Sequence, residues 1–207
     1  GTKEEILKIE DLLTRNKWQV SSYMGKNGTE ESFLNMHGKS PKLLHLATHG
    51  FYYTPNRAEN VDYLKGYTDA MSLSGLVLSG GNAAWLGKPL PKGVLGGILS
   101  ANDIARLDLS NTDMVVLSAC QTGQGKATAE GLYGLQRAFK KAGVGTIVMS
   151  LWSVSDKTTS EFMTIFYERL ADKNNGWNKR KAFEEAKEII RKKHPDPFHW
   201  AAFIMLD

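Results

Sequence analysis

A single cysteine, Cys120, stands in a chain of 207 residues, so no intrachain disulfide can form and any thiol chemistry must run through that residue. A lone thiol also points to a reducing compartment, and a cytoplasmic protein is expected. Long apolar runs are missing too. None approaches the ~20 residues that a membrane helix needs, so no membrane partner is expected. Charge of one sign is scarce: 26 basic against 22 acidic residues leave a net charge of +4, too mild to imply nucleic acid. The densest basic stretch, Lys179 to Lys193, is interleaved with Glu184, Glu185 and Glu188 and reads as the solvated face of a helix. There is no glycine-rich phosphate loop and no His/Cys/Asp spacing suited to zinc, so neither cofactor nor metal is expected. No repeat, low-complexity segment or internal boundary is visible, and residues 1–207 read as one domain. A chain that opens on Gly-Thr without methionine reads as part of a longer protein.

What is present is a series of short apolar runs separated by helical periods. Leu43 to Thr48, Met114 to Ala119 and Thr146 to Trp152 carry no polar alternation, which fits strands buried on both faces of a parallel sheet. Between the second and third, Glu130 to Lys141 places Leu132, Leu135, Ala138 and Phe139 on one helical face, with Gly143 as a stop. Thr2 to Glu5 and Thr158 to Glu161 read as capping boxes that open helices. Lys179 to Lys193 is a further helix, ended by His194-Pro-Asp-Pro197. Residues 18–24 are strand-like, Thr29 to Met36 suggests a short helix, and Trp200 to Leu206 a last strand. Residues 50–99 are rich in Gly, Asn, Tyr and Pro, with one strand-like piece at Leu73 to Leu78. Alternation of strands and helices predicts an α/β fold with a mostly parallel sheet.

In such a sheet, ligands bind outside the carboxyl ends of the strands. One apolar strand runs into Thr48-His49-Gly50 and another into Ser118-Ala119-Cys120-Gln121-Thr122-Gly123. A thiol needs a neighbouring base to become a nucleophile near neutral pH, and imidazole is the usual one. The Gly50 N–H can approach a substrate with no side chain in the way, and the Cys120 N–H offers a second donor for a developing oxyanion. Alone, Cys120 reads as a small buried hydrophobe and His49 as a strand-end cap. Together, at two matching strand ends, they open the reading of a nucleophile and its base.

His-Leu-Ala-Thr-His-Gly (45–50), Leu-Ser-Ala-Cys-Gln-Thr-Gly (117–123), Glu-Gly-Leu (130–132), Arg-Ala-Phe (137–139), Ala-Gly (142–143), Ser-Leu-Trp-Ser-Val-Ser-Asp (150–156) and Phe-His-Trp-Ala-Ala-Phe (198–203) follow in order. This series resembles the CHAT family, bacterial relatives of caspases and separases. The resemblance runs from Thr2 to Leu206, with 51–99 its weakest part. It implies a caspase-like fold: a central, mostly parallel sheet flanked by helices on both faces. It also implies a cysteine endopeptidase with a His49/Cys120 dyad and an oxyanion hole of the Gly50 and Cys120 amides. Such domains often follow helical repeats, so a protein or peptide substrate and an activating partner or N-terminal repeat region are the partners it suggests. Asp156 would shape the pocket for the residue before the cut, favouring a basic side chain, or else cap the helix near Thr158. Trp152 would wall the same pocket or pack in the core, and Gln121 would contact substrate beside the nucleophile. Ser118 and Thr48 are expected to satisfy backbone at the strand ends, His45 to be a hydrogen-bonded core histidine, and His194 and His199 to be structural. Lys88, Lys92 and Gly93 make a self-cleavage segment conceivable, although ordinary surface lysines explain them too. Two other classes stay open: a non-catalytic caspase-like signalling module, and another acyl-transfer enzyme on the same dyad.

Overall fold

Strands without polar alternation belong between two apolar layers, and the central sheet obeys this. The computed structural model describes residues 2–53, 64–90, 95–118 and 129–207. The sheet holds β1 (Leu43–Leu46), β5 (Met114–Leu117), β6 (Thr146–Ser150) and β7 (Phe203–Leu206), in the spatial order β1-β5-β6-β7. The first three are parallel and β7 is antiparallel. Met114, Val116 and Val148 face one layer, made by α1 (Thr2–Arg15), α6 (Asp156–Ala171) and α7 (Lys179–Lys193). Val115, Leu117, Ile147 and Met149 face the other, made by α2 (Glu30–Leu34), α4 (Ala101–Ala105) and α5 (Ala129–Lys141). Phe162 of α6 and Phe203 of β7, both fully buried, stack with ring centroids 3.9 Å apart. Burying a side chain of that kind stabilises the fold by ~1.5–3 kcal/mol. The expected α/β architecture is therefore present, with helices on both faces.

The helices begin and end largely where the sequence says they should. Thr29 caps α2 by accepting from the Ser32 N–H at 3.1 Å. Helix α5 stops at Gly143, whose φ of 97° lets the Val144 N–H reach back to the Phe139 carbonyl at 3.0 Å. Both proposed capping boxes are corrected. Thr2 is already helical, and Glu5 turns into the interior instead of reaching back to the helix start. Helix α6 begins earlier than expected, with Ser155 as its cap accepting from the Thr158 N–H at 3.2 Å. Glu161 pairs instead with Lys193 at 2.6 Å and His194 at 3.1 Å. The last segment divides into a short helix α8 (Pro197–Trp200), capped by Asp196, and β7.

Residues 18–24 form no strand. The end of α1 uses the Trp18 N–H, which bonds the Leu13 carbonyl at 3.0 Å, and Lys17 takes a left-handed φ of 65°. The Trp18 ring then packs on Trp177, with centroids 5.3 Å apart. These contacts carry the segment past β1 rather than onto it, and a cavity of about 880 Å³ lies between them. The β5 ladder takes the Lys42 and Leu46 carbonyls, through the Met114 and Ser118 N–H groups. By the alternation of a parallel ladder, the N–H and C=O groups of Leu43 and His45 face the cavity.

The stretch 50–99 holds more structure than its composition announced. A second sheet, antiparallel and in the order β2-β3-β4, is built from β2 (His49–Tyr52), β3 (Ser74–Val77) and β4 (Ile98–Ser100). The short helix α3 (Gly81–Trp85) lies between the last two. Leu76 and Leu99 join the α5-side core and hold this sheet to the body of the domain. Phe51, Tyr52, Leu64, Leu73 and Ile98 form its own small core. Among the described residues no helix is long and apolar enough to cross a membrane.

Candidate active site

β1, β5 and β6 end side by side at the carboxyl edge of the central sheet. β1 and β5 pair in register, Leu46 opposite Leu117, and the Ser118 N–H bonds the Leu46 carbonyl at 3.0 Å. Past Leu46 the chain leaves this sheet and enters β2, whose first residue is His49. The imidazole is exposed, while Gly50, Phe51 and Tyr52 behind it are buried. In the sequence, His49 follows Leu46 by three residues and Cys120 follows Leu117 by the same three. Cys120 and Gln121 lie outside the described residues, as do Gly123, Lys92 and Gly93.

β2 is fixed by its neighbour. The Thr48 hydroxyl donates to the Val77 carbonyl, and Val77 stands opposite His49. The Tyr53 N–H bonds the Leu73 carbonyl at 2.9 Å, which sets the alternation of the β2–β3 ladder. The 49/77 and 51/75 pairs exchange hydrogen bonds, and the 50/76 pair does not. The Gly50 N–H therefore points to the outer edge of the second sheet, free of the ladder. Opposite Phe51 sits Gly75, where a Cβ would lie 2.8 Å from the Phe51 ring and 2.3 Å from the Leu99 carbonyl oxygen. Only glycine lets the ring and the next strand approach so closely.

The end of β6 lies beside the end of β5. Trp152 is half-buried there; its indole N–H donates to the Phe198 carbonyl at 2.9 Å, and the two rings pack 6.2 Å apart. It also packs against the core layer of α1, α6 and α7, which is the core placement expected of it. Phe198, 52 % exposed, was given no role from the sequence. Asp156 is exposed and is the first residue of α6, so the cap belongs to Ser155, not to it. Its carboxylate lies at the positive end of that helix.

Of the remaining polar residues, Thr48 satisfies backbone as expected. Ser118 does not: its hydroxyl is buried and has no hydrogen-bond partner among the described residues. His45 is a core histidine, with Nδ1 2.9 Å from the Tyr167 hydroxyl and Nε2 3.0 Å from Glu5 Oε1. Burial first, and then the nearby charge of Glu5, push the Tyr167 phenol well above its ordinary value. His194 braces Glu161, whose carboxyl is held below the usual range chiefly by hydrogen bonds from Lys193 and His194. His199 keeps a buried Nδ1 without a partner among the described residues. Among those residues no group of three or more His, Cys, Asp or Glu side chains is placed to hold a metal ion.

The sequence could have disclosed the second sheet. Phe51-Tyr52-Tyr53 and Ile98-Leu99 are short β-prone runs, and a glycine inside the Leu73–Leu78 run signals close backbone approach. Glu5 gave no such signal, because its position at the third turn-forming residue of a helix looks like a capping box.

Comparison with known proteins adds three findings. The CHAT domain model, which describes a caspase-like family, matches residues 1–207. Mouse tetratricopeptide repeat protein 28 is 34 % identical over 111 residues, which is 53 % of this chain and 4 % of that protein. Human tetratricopeptide repeat protein 28 is 33 % identical over 111 residues, with the same coverage. The chain thus corresponds to a small part of the length of either relative.

Proposed function

Since the chain belongs to the CHAT domain family, we propose that it is a cysteine endopeptidase with His49 and Cys120 as its dyad. The observation that carries this reading is the in-register pairing of β1 with β5. Two parallel strands, level at Leu46 and Leu117, are followed after equal spacing by an imidazole and the chain's one thiol. The exposed setting of His49 and the ladder-free N–H of Gly50 support it further.

The chemistry follows. His49 takes the proton from the Cys120 thiol, and the thiolate attacks the carbonyl carbon of a peptide bond. The Gly50 and Cys120 N–H groups donate to the oxyanion as it forms. His49 then protonates the amine as the C–N bond breaks, leaving a thioester, and a water deprotonated by the same imidazole hydrolyses it. Trp152 would wall the pocket before the cut, and the exposed Asp156 carboxylate would favour a basic side chain there. Gln121 would contact the substrate beside the nucleophile. A cytoplasmic setting suits a nucleophile that must stay reduced. The relatives' names carry the words tetratricopeptide repeat, which favours a repeat-bearing parent protein as the source of regulation.

Alkylation by iodoacetamide tests this directly, because a single cysteine makes the label unambiguous. The wild-type thiol should react faster at pH 7 than free cysteine, and His49→Ala should abolish the advantage. Cys120→Ala should end cleavage of any substrate found while the fold persists. A thiol that reacts no faster than free cysteine, with or without His49, would leave the interaction-module reading in its place.

A further inference from the structure

His49 belongs to one sheet by hydrogen bonding and to the other by sequence. The last ladder bond of β1 ends at the Leu46 carbonyl, and His49 opens β2 opposite Val77. Ala47 and Thr48 are the joint between the two sheets. The direction in which the imidazole leaves the backbone depends on how that joint is held. Among the described residues, one side-chain hydrogen bond holds it, from the Thr48 hydroxyl to the Val77 carbonyl.

We propose that Thr48 is a positioning residue for His49, its hydroxyl locking the joint between the sheets so that the imidazole faces the nucleophile. This rests on the dyad reading above. A carbonyl oxygen has two lone pairs. The Val77 oxygen accepts one bond from the His49 N–H, through the 49/77 pair, and the other from Thr48. Two consecutive residues therefore share one acceptor, and the backbone angle at His49 is set against β3. β3 in turn is held on both sides, paired with β2 along one edge and with β4 along the other. Thr48 is also β-branched, which restricts its χ1 and makes the hydroxyl's direction well defined. Without the hydroxyl, His49 keeps its ladder bonds to Val77 but Thr48 loses its bond to β3, so the backbone leading into His49 is held less tightly and the imidazole direction is less fixed.

Valine is the close steric mimic of threonine without the donor, and serine keeps the donor without the methyl. Misplacement of a reacting group by about 1 Å lowers rates by up to ~10²-fold. Thr48→Val should therefore slow iodoacetamide labelling of Cys120 at pH 7 by about tenfold or more, toward the His49→Ala rate. It should also move the pH at which labelling reaches half its maximum toward that of a free thiol. Thr48→Ser should restore both, and thermal melting run alongside should show all variants folded. If Thr48→Val does not fold, Thr48→Ala gives the same readout. The proposal falls if the variant lacking the hydroxyl labels at the wild-type rate with the wild-type pH profile, or if Thr48→Ser is as slow as Thr48→Val. If His49→Ala itself labels like wild type, the dyad reading has failed, and this is read separately from Thr48.

Discussion

Glu5→Ala should be among the most destabilising single changes at a position that looks, in sequence, like a helix-cap accessory. Glu5 is 4 % exposed, and its carboxylate meets the Nε2 of His45 at 3.0 Å. His45 in turn meets the Tyr167 hydroxyl at 2.9 Å. One hydrogen-bond assignment satisfies all three groups: the phenol donates to Nδ1 and the Nε2–H donates to Glu5. The trio ties α1 to β1 and α6 beside the apolar layer of those helices. Alanine at position 5 strands the Nε2–H, a loss of ~1–3 kcal/mol. Removing a buried methylene adds about 0.8 kcal/mol. The total, roughly 2–4 kcal/mol, corresponds to a fall in Tm of roughly 4–15 °C for a chain of this size. Glu5→Gln keeps an acceptor and should lose under about 1.5 kcal/mol. A double-mutant cycle of Glu5→Ala with His45→Phe, read by urea unfolding, should give a coupling of ~0.5–3 kcal/mol. A Tm for Glu5→Ala within about 2 °C of wild type would refute the reasoning, since a buried donor cannot lose its acceptor without penalty.

Three other outcomes are expected. Gly75→Ala should lower stability by about 1–3 kcal/mol, because its Cβ meets the Leu99 carbonyl at 2.3 Å and the Phe51 ring at 2.8 Å. Adding Phe51→Leu should recover only part of that loss, and full recovery would show that the backbone clash is not real. In native-state hydrogen exchange, the amides of Leu43 and His45 should exchange faster than those of Leu44 and Leu46, which bond to β5; equal protection along β1 would contradict its open edge. Stability should fall at high pH. The Tyr167 phenol is raised by burial above its ordinary value of 10.0, so the folded state holds its proton more tightly than the unfolded state. That contribution is complete below the unfolded value and is lost as pH rises above it toward the folded one. Tyr167→Phe should flatten the alkaline limb of a Tm-against-pH curve, and an unchanged limb would show that Tyr167 is not its source.

The central sheet and its helices were legible because their signals are local. Apolar runs at 43–48, 114–119 and 146–152 can only be satisfied between two layers, and 179–193 carries both its periodicity and its stop. The series of motifs likewise carried the family. Residues 18–24 misled because strand propensity says only that a segment suits a pleated surface, not that a neighbour is in reach. There, packing of Trp18 on Trp177 decided the path. Glu5 and Glu161 misled for the opposite reason. A carboxylate three residues after threonine satisfies a local rule, but a buried imidazole or a distant lysine competes for it and wins.

By itself, the sequence determined that a histidine and the chain's one cysteine each follow a buried apolar run, because residue type and hydrophobic period are properties of the chain alone. Tertiary structure decided how His49 is held. Its strand leaves the parallel sheet and pairs with residues 74–77, a long-range choice made by Gly75, Val77 and Leu99 fitting against Thr48 and Phe51. Such pairings depend on shape complementarity between segments far apart in the chain, and no local pattern encodes them.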